Sequence, residues 1–219
     1  MAKFRTILCD PPWFFVTKTN DGRIKCPDMH YPCMTLADIA NLPVSEIAEE
    51  NAALLMWTTW AHMREAMTVI EAWGFVYRTG FPWVKMARQG TPRRGIGYHV
   101  AQCSEPLLIA TRGSGVSPHQ DEKREIGILF NPPAHHSAKP DQQYCVAERY
   151  PAPYLELFAR PDGGLDEPRP NWTRAGNEID GKDMRQALCD LAALPDIIAS
   201  ALDTEDDDNA PIDAQETLF

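Results

Sequence analysis

Short apolar runs alternate with amphipathic patterns along most of the chain, and this alternation limits the possible folds more than any other feature. The runs have the length and composition of buried strands and lie at residues 4–9, 53–57, 75–85, 107–111, 126–130 and 154–159. Helix-like patterns occur between them at 36–49, with Thr35 as the cap, at 60–73 and at 141–149. Strands that alternate with helices predict an α/β domain built around one sheet.

The negative charge of the chain is concentrated at its C-terminus. The formal net charge is −10, but residues 180–219 hold eleven acidic and only two basic side chains, so the preceding part is close to neutral. Residues 78–102 contain five cations and no acid. A nucleic-acid partner is therefore compatible with the acidic total.

The composition also divides the chain into three parts. Residues 1–181 hold the alternating pattern and are expected to form one domain. Residues 182–202 predict a helix that is interrupted or kinked near Pro195, because proline cannot continue a helix. Residues 203–219 are rich in acids and poor in core-forming side chains, which is typical of a disordered tail.

Apolar runs and cysteines indicate the compartment. No run of about 18 apolar residues is present, and the N-terminus enters the first strand too early for a signal peptide. The six cysteines show no paired framework, so we expect reduced thiols, no membrane contact and a cytoplasmic location. Cys26, His30 and Cys33 do not have the spacing of common zinc ligands, and we expect no metal.

The first strand-like run ends in the stretch DPPW. Pro11 and Pro12 stop the strand, so Asp10 and Trp13 are presented on a stiff turn at a strand end, where α/β proteins usually bind ligands. A carboxylate and a proline carbonyl are two acceptors that suit the two N–H groups of an exocyclic amine. The flat face of Trp13 would support a stacked base. Holding both hydrogens directs the amine lone pair at an electrophile, so the predicted contribution is positioning more than deprotonation.

Six further motifs follow DPPW in order: LLMWTT at 54–59, FPWVK at 81–85, EPLLIATRG at 105–113, HSAKPDQQY at 136–144, ELFARP at 156–161 and NWTRAGNE at 171–178. Together they resemble the MT-A70-like family, which transfers methyl from S-adenosylmethionine to the N6 amino group of adenine. The resemblance covers about residues 4–181. It implies a Rossmann-like α/β methyltransferase fold with circularly ordered motifs, in which the catalytic motif precedes the cofactor-binding segment.

The resemblance also implies roles for the matching residues. The target adenine would be held by the catalytic residues Asp10, Pro11, Pro12 and Trp13. Lys139, with Ser137 nearby, would bind the carboxylate of S-adenosylmethionine. Phe158 and Arg160 would flank its adenosine, and Asn177 and Glu178 would hold its ribose hydroxyls. The backbone around Cys9, with Asp10 and Glu156, completes the predicted set of cofactor-binding residues.

The stretch 86–105 is the candidate for contact with the substrate. It combines cations, glycines and an aromatic residue, which suit phosphate contacts, although a solvated loop has the same composition. The substrate-binding residues that we predict are Tyr31, Lys85, Arg88, Arg93, Arg94, Tyr98 and Glu105. The stretch FNPPAHH at 130–136 imitates DPPW but lacks its aromatic residue, so we interpret it as a turn. In duplex DNA the target adenine would have to leave the base stack.

The resemblance leads us to expect a DNA adenine-N6 methyltransferase. The alternatives are an RNA adenine-N6 methyltransferase and a catalytically inactive nucleic-acid-binding partner subunit. Cytosine N4 is disfavoured as the target because the first motif position is Asp10. The inactive subunit is disfavoured because Asp10, Trp13 and Lys139 are all present.

The sequence ends in QETLF, residues 215–219. Gln215, Leu218 and Phe219 resemble the Gln-x-x-Leu-Phe pattern by which bacterial proteins bind the replication sliding clamp. An acidic tether that ends in two apolar anchors suits such a peptide, and a frayed terminus is the alternative. The oligomeric state, a dimer included, is left open.

Overall fold

The computed structural model describes residues 3–14, 33–95, 99–114, 116–118, 127–131, 139–161 and 171–194. The strands are β1 (Phe4–Cys9), β2 (Ala48–Trp57), β3 (Val76–Lys85), β4 (Ser104–Arg112), β5 (Leu129–Asn131), β6 (Tyr154–Leu157) and β7 (Trp172–Ala175). The α-helices are α1 (Leu36–Ala40), α2 (Val44–Ile47), α3 (Met63–Ala72), α4 (Gln142–Ala147), α5 (Asn177–Asp180) and α6 (Met184–Ala193), and a 3-10 turn spans Trp60–His62.

The seven strands form one sheet in the order β5-β3-β4-β2-β1-β6-β7. Strand β4 is antiparallel to both of its neighbours, and the other pairs are parallel. Six strands therefore end at one edge of the sheet, where β4 begins. We call this side the carboxyl edge.

The centre of the sheet contains a topological switch point. From β1 the chain crosses to β2 on one side, whereas from β6 it crosses to β7 on the other side, and β1 and β6 are paired with each other. In open α/β sheets the crevice above such a pair is the usual ligand site. The predicted Rossmann-like α/β fold is confirmed.

Both faces of the sheet are covered, which explains why its central strands are almost continuously apolar. Ile7 packs into a core with residues of α1, α3 and α6, and Leu8, the next residue of β1, packs on the opposite face with residues of α4. Tyr144 and Trp57 are fully buried on that second face. The switch point is therefore held by a rigid three-layer body.

The predicted helix at 36–49 is wrong in its extent. Thr35 caps α1 as expected, since its hydroxyl oxygen accepts from the Asp38 amide at 3.1 Å. The helix then ends and Pro43 precedes α2, because proline lacks the amide that a continuous helix requires at this position. Residues from Ala48 onward belong to β2 and pair with β1.

Strand β7 is not predicted by the sequence, because its four residues are too few to show a period. Helix α6 lies within the predicted helical segment and is capped by Asp183, whose carboxylate accepts from the Gln186 amide at 3.0 Å. Pro195 and the predicted tail lie outside the described residues. None of the helices in the described part of the chain could span a membrane.

Candidate active site

The DPPW turn directly follows the end of β1. Its backbone is fixed by two hydrogen bonds: the Trp13 amide donates to the Pro11 carbonyl at 2.9 Å, and the Met34 amide donates to the Pro12 carbonyl at 3.0 Å. A carbonyl oxygen has a second lone pair, so each proline can still accept another hydrogen. The turn therefore presents the Asp10 carboxylate and two carbonyl acceptors at the carboxyl edge.

Trp13 does not offer the open face that the sequence predicts. Its side chain is 5% exposed, its indole nitrogen donates to the Trp57 carbonyl at 3.3 Å, and its ring stacks on His62 with a centroid distance of 5.8 Å. The His62 ring therefore lies against part of one face of the indole. Together with the bond to Trp57, this packing lets Trp13 position the turn.

His62, for which the sequence predicts no role, contacts the backbone of Phe14 at the end of the DPPW turn. Its Nε2 lies 3.1 Å from the Phe14 carbonyl, and its Nδ1 lies 2.8 Å from the Thr59 hydroxyl. A carbonyl can only accept, so Nε2 carries the proton. A histidine just after a strand has no distinctive sequence pattern, and only the fold reveals its contact with the turn.

Four charged side chains from four separate elements form a row along the carboxyl edge. The Lys139 ammonium lies 2.6 Å from Asp10 Oδ2 and 3.4 Å from Glu105 Oε2, and Glu105 also pairs with Lys85. We call Asp10, Lys139, Glu105 and Lys85 the charged row. Asp10 follows β1, Glu105 begins β4, Lys85 ends β3, and Lys139 precedes α4.

The charged row is electrostatically complementary. Burial alone would raise the pKa of Glu105, but the ammonium groups of Lys139 and Lys85 outweigh that effect and lower the pKa of this carboxyl below its ordinary value. Lys139 also lies 5.7 Å from the centroid of the Trp57 ring, and Lys85 lies 5.2 Å from that of Trp83. Glu105 is therefore ionised at neutral pH and holds both lysines.

The sequence assigned the members of the charged row to separate roles, with Lys139 on the cofactor and Lys85 and Glu105 on the substrate. The fold brings them into direct contact, although Asp10 and Lys139 are 129 positions apart. Because β4 runs antiparallel, Glu105 at its start reaches the edge where β1 and β3 end. No local pattern contains this information.

The predicted cofactor residues lie at the ends of β6 and β7. Glu156 is 8% exposed, and its two oxygens accept from the Tyr144 hydroxyl at 3.1 Å and from Arg174 Nε at 2.9 Å. Burial raises the pKa of Glu156, and Arg174 and Tyr144 offset only part of that effect. Arg174 also donates to the Arg160 carbonyl and so fixes the chain after β6.

The turn after β6 is packed tightly against the end of β7. Phe158 has a φ of 61°, in the left-handed region that non-glycine residues rarely occupy. A Cβ on Gly176 would lie 2.2 Å from the Ala159 carbonyl oxygen, so only glycine allows this approach. Arg160 lies 3.7 Å from Glu178, and Asn177 and Glu178 are exposed. The Cys9 side chain is fully buried, which leaves only its backbone for a ligand.

The start of the predicted substrate-contact stretch 86–105 folds back onto Lys85 of the charged row. Arg88, Arg93 and Arg94 are exposed, and the Arg93 amide donates to the Lys85 carbonyl at 2.6 Å. The predicted residues Tyr31, Tyr98 and Ser137 lie outside the described residues. So does most of the stretch at 26–33, and in the described ranges no group of three or more His, Cys, Asp or Glu side chains could hold a metal.

Comparisons with known proteins show which family model and which relatives the chain matches. The MT-A70 family model matches residues 4–178. A type II methyltransferase, M.MunI from Mycoplasma sp, is 30% identical over 179 residues that cover 72% of each chain. A putative N(6)-adenosine-methyltransferase MT-A70-like protein from Medicago truncatula is 25% identical over 185 residues, which cover 83% of this chain but only 27% of that protein.

Proposed function

The chain belongs to the MT-A70 family, and on this premise we propose that it transfers a methyl group from S-adenosylmethionine to the N6 atom of adenine in DNA. The observation that carries the proposal is the 2.6 Å contact between Lys139 and Asp10 at the switch point. It joins the acceptor for the target amine to the cation proposed for the cofactor. The charged row is also complete, which an inactive partner subunit would not need.

The residues present fit S-adenosylmethionine. The set includes a cation for its carboxylate (Lys139), an aromatic residue and a cation at the end of β6 (Phe158 and Arg160), and exposed oxygen acceptors for ribose hydroxyls (Asn177 and Glu178). The glycine that lets Ala159 meet the end of β7 brings these groups together. When bound, the cofactor supplies an electrophilic methyl group. Backbone near Cys9 and the side chain of Ser137 complete the proposed set.

We assign Glu156 an indirect role. Both of its oxygens are used within the protein, and its partner Arg174 holds the Arg160 carbonyl. Glu156 therefore fixes the turn that carries Phe158 and Arg160. The direct cofactor contact that the sequence predicts for Glu156 stays a prediction, since each of its oxygens has a further lone pair.

The DPPW turn supplies the chemistry at the target nitrogen. Asp10 and a proline carbonyl accept the two N6 hydrogens, which directs the nitrogen lone pair away from the adenine ring and toward the methyl group. Asp10 is also placed to receive the proton that leaves N6 after transfer. Lys139 holds the Asp10 carboxylate in this orientation, so the geometry is set before the base arrives.

DNA is the proposed polymer for two reasons. The relative that this chain matches over 72% of both lengths is named a type II methyltransferase, a class that modifies DNA. The exposed Arg88, Arg93 and Arg94 suit phosphate contacts beside the charged row. RNA is the second candidate, because the Medicago relative is named an adenosine methyltransferase. A DNA substrate also supports the cytoplasmic location that we propose.

The test is methyl transfer from labelled S-adenosylmethionine to unmethylated DNA and to RNA, with nucleosides identified by mass. We expect N6-methyladenine in DNA, lost in Asp10→Ala and retained in Glu46→Gln, a control at an exposed carboxylate of α2. Product only in RNA would overturn the proposed substrate. No product in either polymer, from protein that binds S-adenosylmethionine, would overturn the enzymatic proposal.

Residues 215–219 support a proposed recruitment to replicating DNA through the sliding clamp. A fluorescent peptide of this segment, titrated with a bacterial clamp, should bind saturably. A peptide with Leu218→Ala and Phe219→Ala is the control, and equal binding of both peptides would count against recruitment.

A further inference from the structure

Two exposed aromatic side chains, one on the residue after the DPPW turn and one on the 3-10 turn after β2, have no role in the proposed chemistry. All six tryptophans belong to the described residues, and Trp60 is the only exposed one, at 43%. Phe14, next to Trp13, is 53% exposed. We call Phe14 and Trp60 the aromatic rim.

The aromatic rim is attached to the active site through hydrogen bonds. The Trp60 indole donates to the Ser104 hydroxyl at 3.0 Å, and Ser104 directly precedes Glu105 of the charged row. The Phe14 carbonyl accepts a hydrogen bond from His62 Nε2 at 3.1 Å. His62 belongs to the same 3-10 turn as Trp60. The Trp60 ring is thus held by the start of β4, and the backbone of Phe14 is held by the 3-10 turn that carries Trp60.

Exposed apolar side chains are common on protein surfaces and do not by themselves indicate a ligand. Two further observations distinguish the rim. The polar edge of Trp60 is already satisfied by Ser104, so its remaining exposed surface is ring. Trp13, the aromatic residue expected to stack on a base, is only 5% exposed and its ring stacks on His62. Among the described residues it therefore offers little ring surface to an extruded adenine, whereas the rim offers more.

We propose that the aromatic rim stacks on unpaired nucleobases of the target strand at the methylation site. This inference rests on the proposed nucleic-acid substrate. Nucleobases are favoured over an apolar peptide because the exposed cations Arg93 and Arg94 lie on the segment anchored at Lys85, where phosphates of the same strand would pass. Stacking tolerates every base, so the rim holds the strand and leaves sequence reading to other residues.

The test uses the full chain and a DNA duplex with one unmethylated adenine, in a sequence that the wild-type enzyme is first shown to methylate. Nucleotides next to that adenine are replaced one at a time by an abasic site, and kcat/KM is measured for wild type, Trp60→Ala and Trp60→Phe. We expect Trp60→Ala to lose about 10-fold on intact DNA, while Trp60→Phe, which keeps a ring but not the bond to Ser104, stays within about 3-fold. On one abasic duplex, the effect of Trp60→Ala should shrink to less than about 2-fold, because the stacked base is already absent.

The matched control is Tyr77→Ala. Tyr77 is an exposed aromatic residue on β3, about eight residues, or roughly 26 Å of strand, from Lys85, and its loss should leave kcat/KM unchanged. An active Trp60→Ala enzyme with wild-type kcat/KM would overturn the inference. So would an equal loss on every abasic duplex, which indicates a structural role. Absence of product from wild type would instead overturn the proposed function, and the inference with it.

Discussion

Two glutamates at the carboxyl edge, Glu105 and the more deeply buried Glu156, have pKa values shifted in opposite directions. Glu105 lies on the proposed target-base side and contacts two lysines, whose charges lower its pKa. Glu156 lies on the proposed cofactor side and contacts one arginine, and Asp10 repels its charge, so burial prevails and its pKa is raised.

The two sides of the site are thus stabilised by different kinds of interaction. The target side is held by charges that come together from four elements and are partly exposed. The cofactor side is held by close backbone packing at Gly176 and one buried ion pair. Substitutions on the target side should therefore affect turnover, and Lys139, which also belongs to the proposed cofactor set, should affect cofactor affinity as well. Substitutions on the cofactor side should affect folding and cofactor affinity.

The largest effect is expected for Lys139→Met. This variant removes the cation that holds Asp10 and Glu105, so two carboxylates lose their shared partner. We expect kcat/KM to fall by roughly 10²–10³-fold, the range of a preorganised electrostatic contact. The control is Lys182→Met, which removes an exposed lysine paired with Asp190. A similar loss of kcat/KM in both variants would contradict a specific contribution of the Lys139 ion pairs to catalysis.

A smaller effect, on stability, is expected for Arg174→Met. It leaves the buried Glu156 carboxylate without a cation, which should lower the free energy of unfolding by about 3 kcal/mol at pH 7 in urea titrations. The double variant with Glu156→Gln should recover part of that loss, because no unpaired charge remains. Titration calorimetry with S-adenosylmethionine should show weaker binding in Arg174→Met. Unchanged stability and affinity would show that the pair does not hold the turn.

The smallest effect is a difference in pH dependence. The lowered pKa of Glu105 gives stabilisation that is present above the ordinary value of 4.5 and is lost as the pH falls through the folded pKa. The raised pKa of Glu156 acts in the opposite direction: its relative stabilisation is present below 4.5 and is lost as the pH rises through the folded pKa.

The change of stability with pH is measured from the free energies of unfolding between pH 3.5 and 7. The proteins compared are wild type, Glu105→Gln and Glu156→Gln. The advantage of wild type over Glu105→Gln should grow with pH, and its advantage over Glu156→Gln should shrink. Glu46→Gln gives the background. Slopes of the same sign would contradict the comparison between the two sides.

The parts of this site that the sequence could reveal are local. The strand end before Asp10 and the cap at Thr35 follow from proline chemistry and from one hydroxyl, and both are present in the structure. The extent of the helix after Thr35 could not be predicted, because the pairing of Ala48 with β1 outweighs its local pattern. The stack of His62 on Trp13 depends on how two distant segments pack, and a sequence carries no sign of it.

The pairing of β1 with β6 has a consequence for synthesis of the chain. Thr6 pairs with Tyr154, so the central strand emerges from the ribosome long before its second neighbour exists. Until then one edge of an apolar strand has no partner, and such an edge can add strands from other chains. Contacts of this sequence separation also slow folding. The arrangement that places Asp10 beside the cofactor crevice thus exposes the nascent polypeptide to aggregation until nearly the whole domain has been translated.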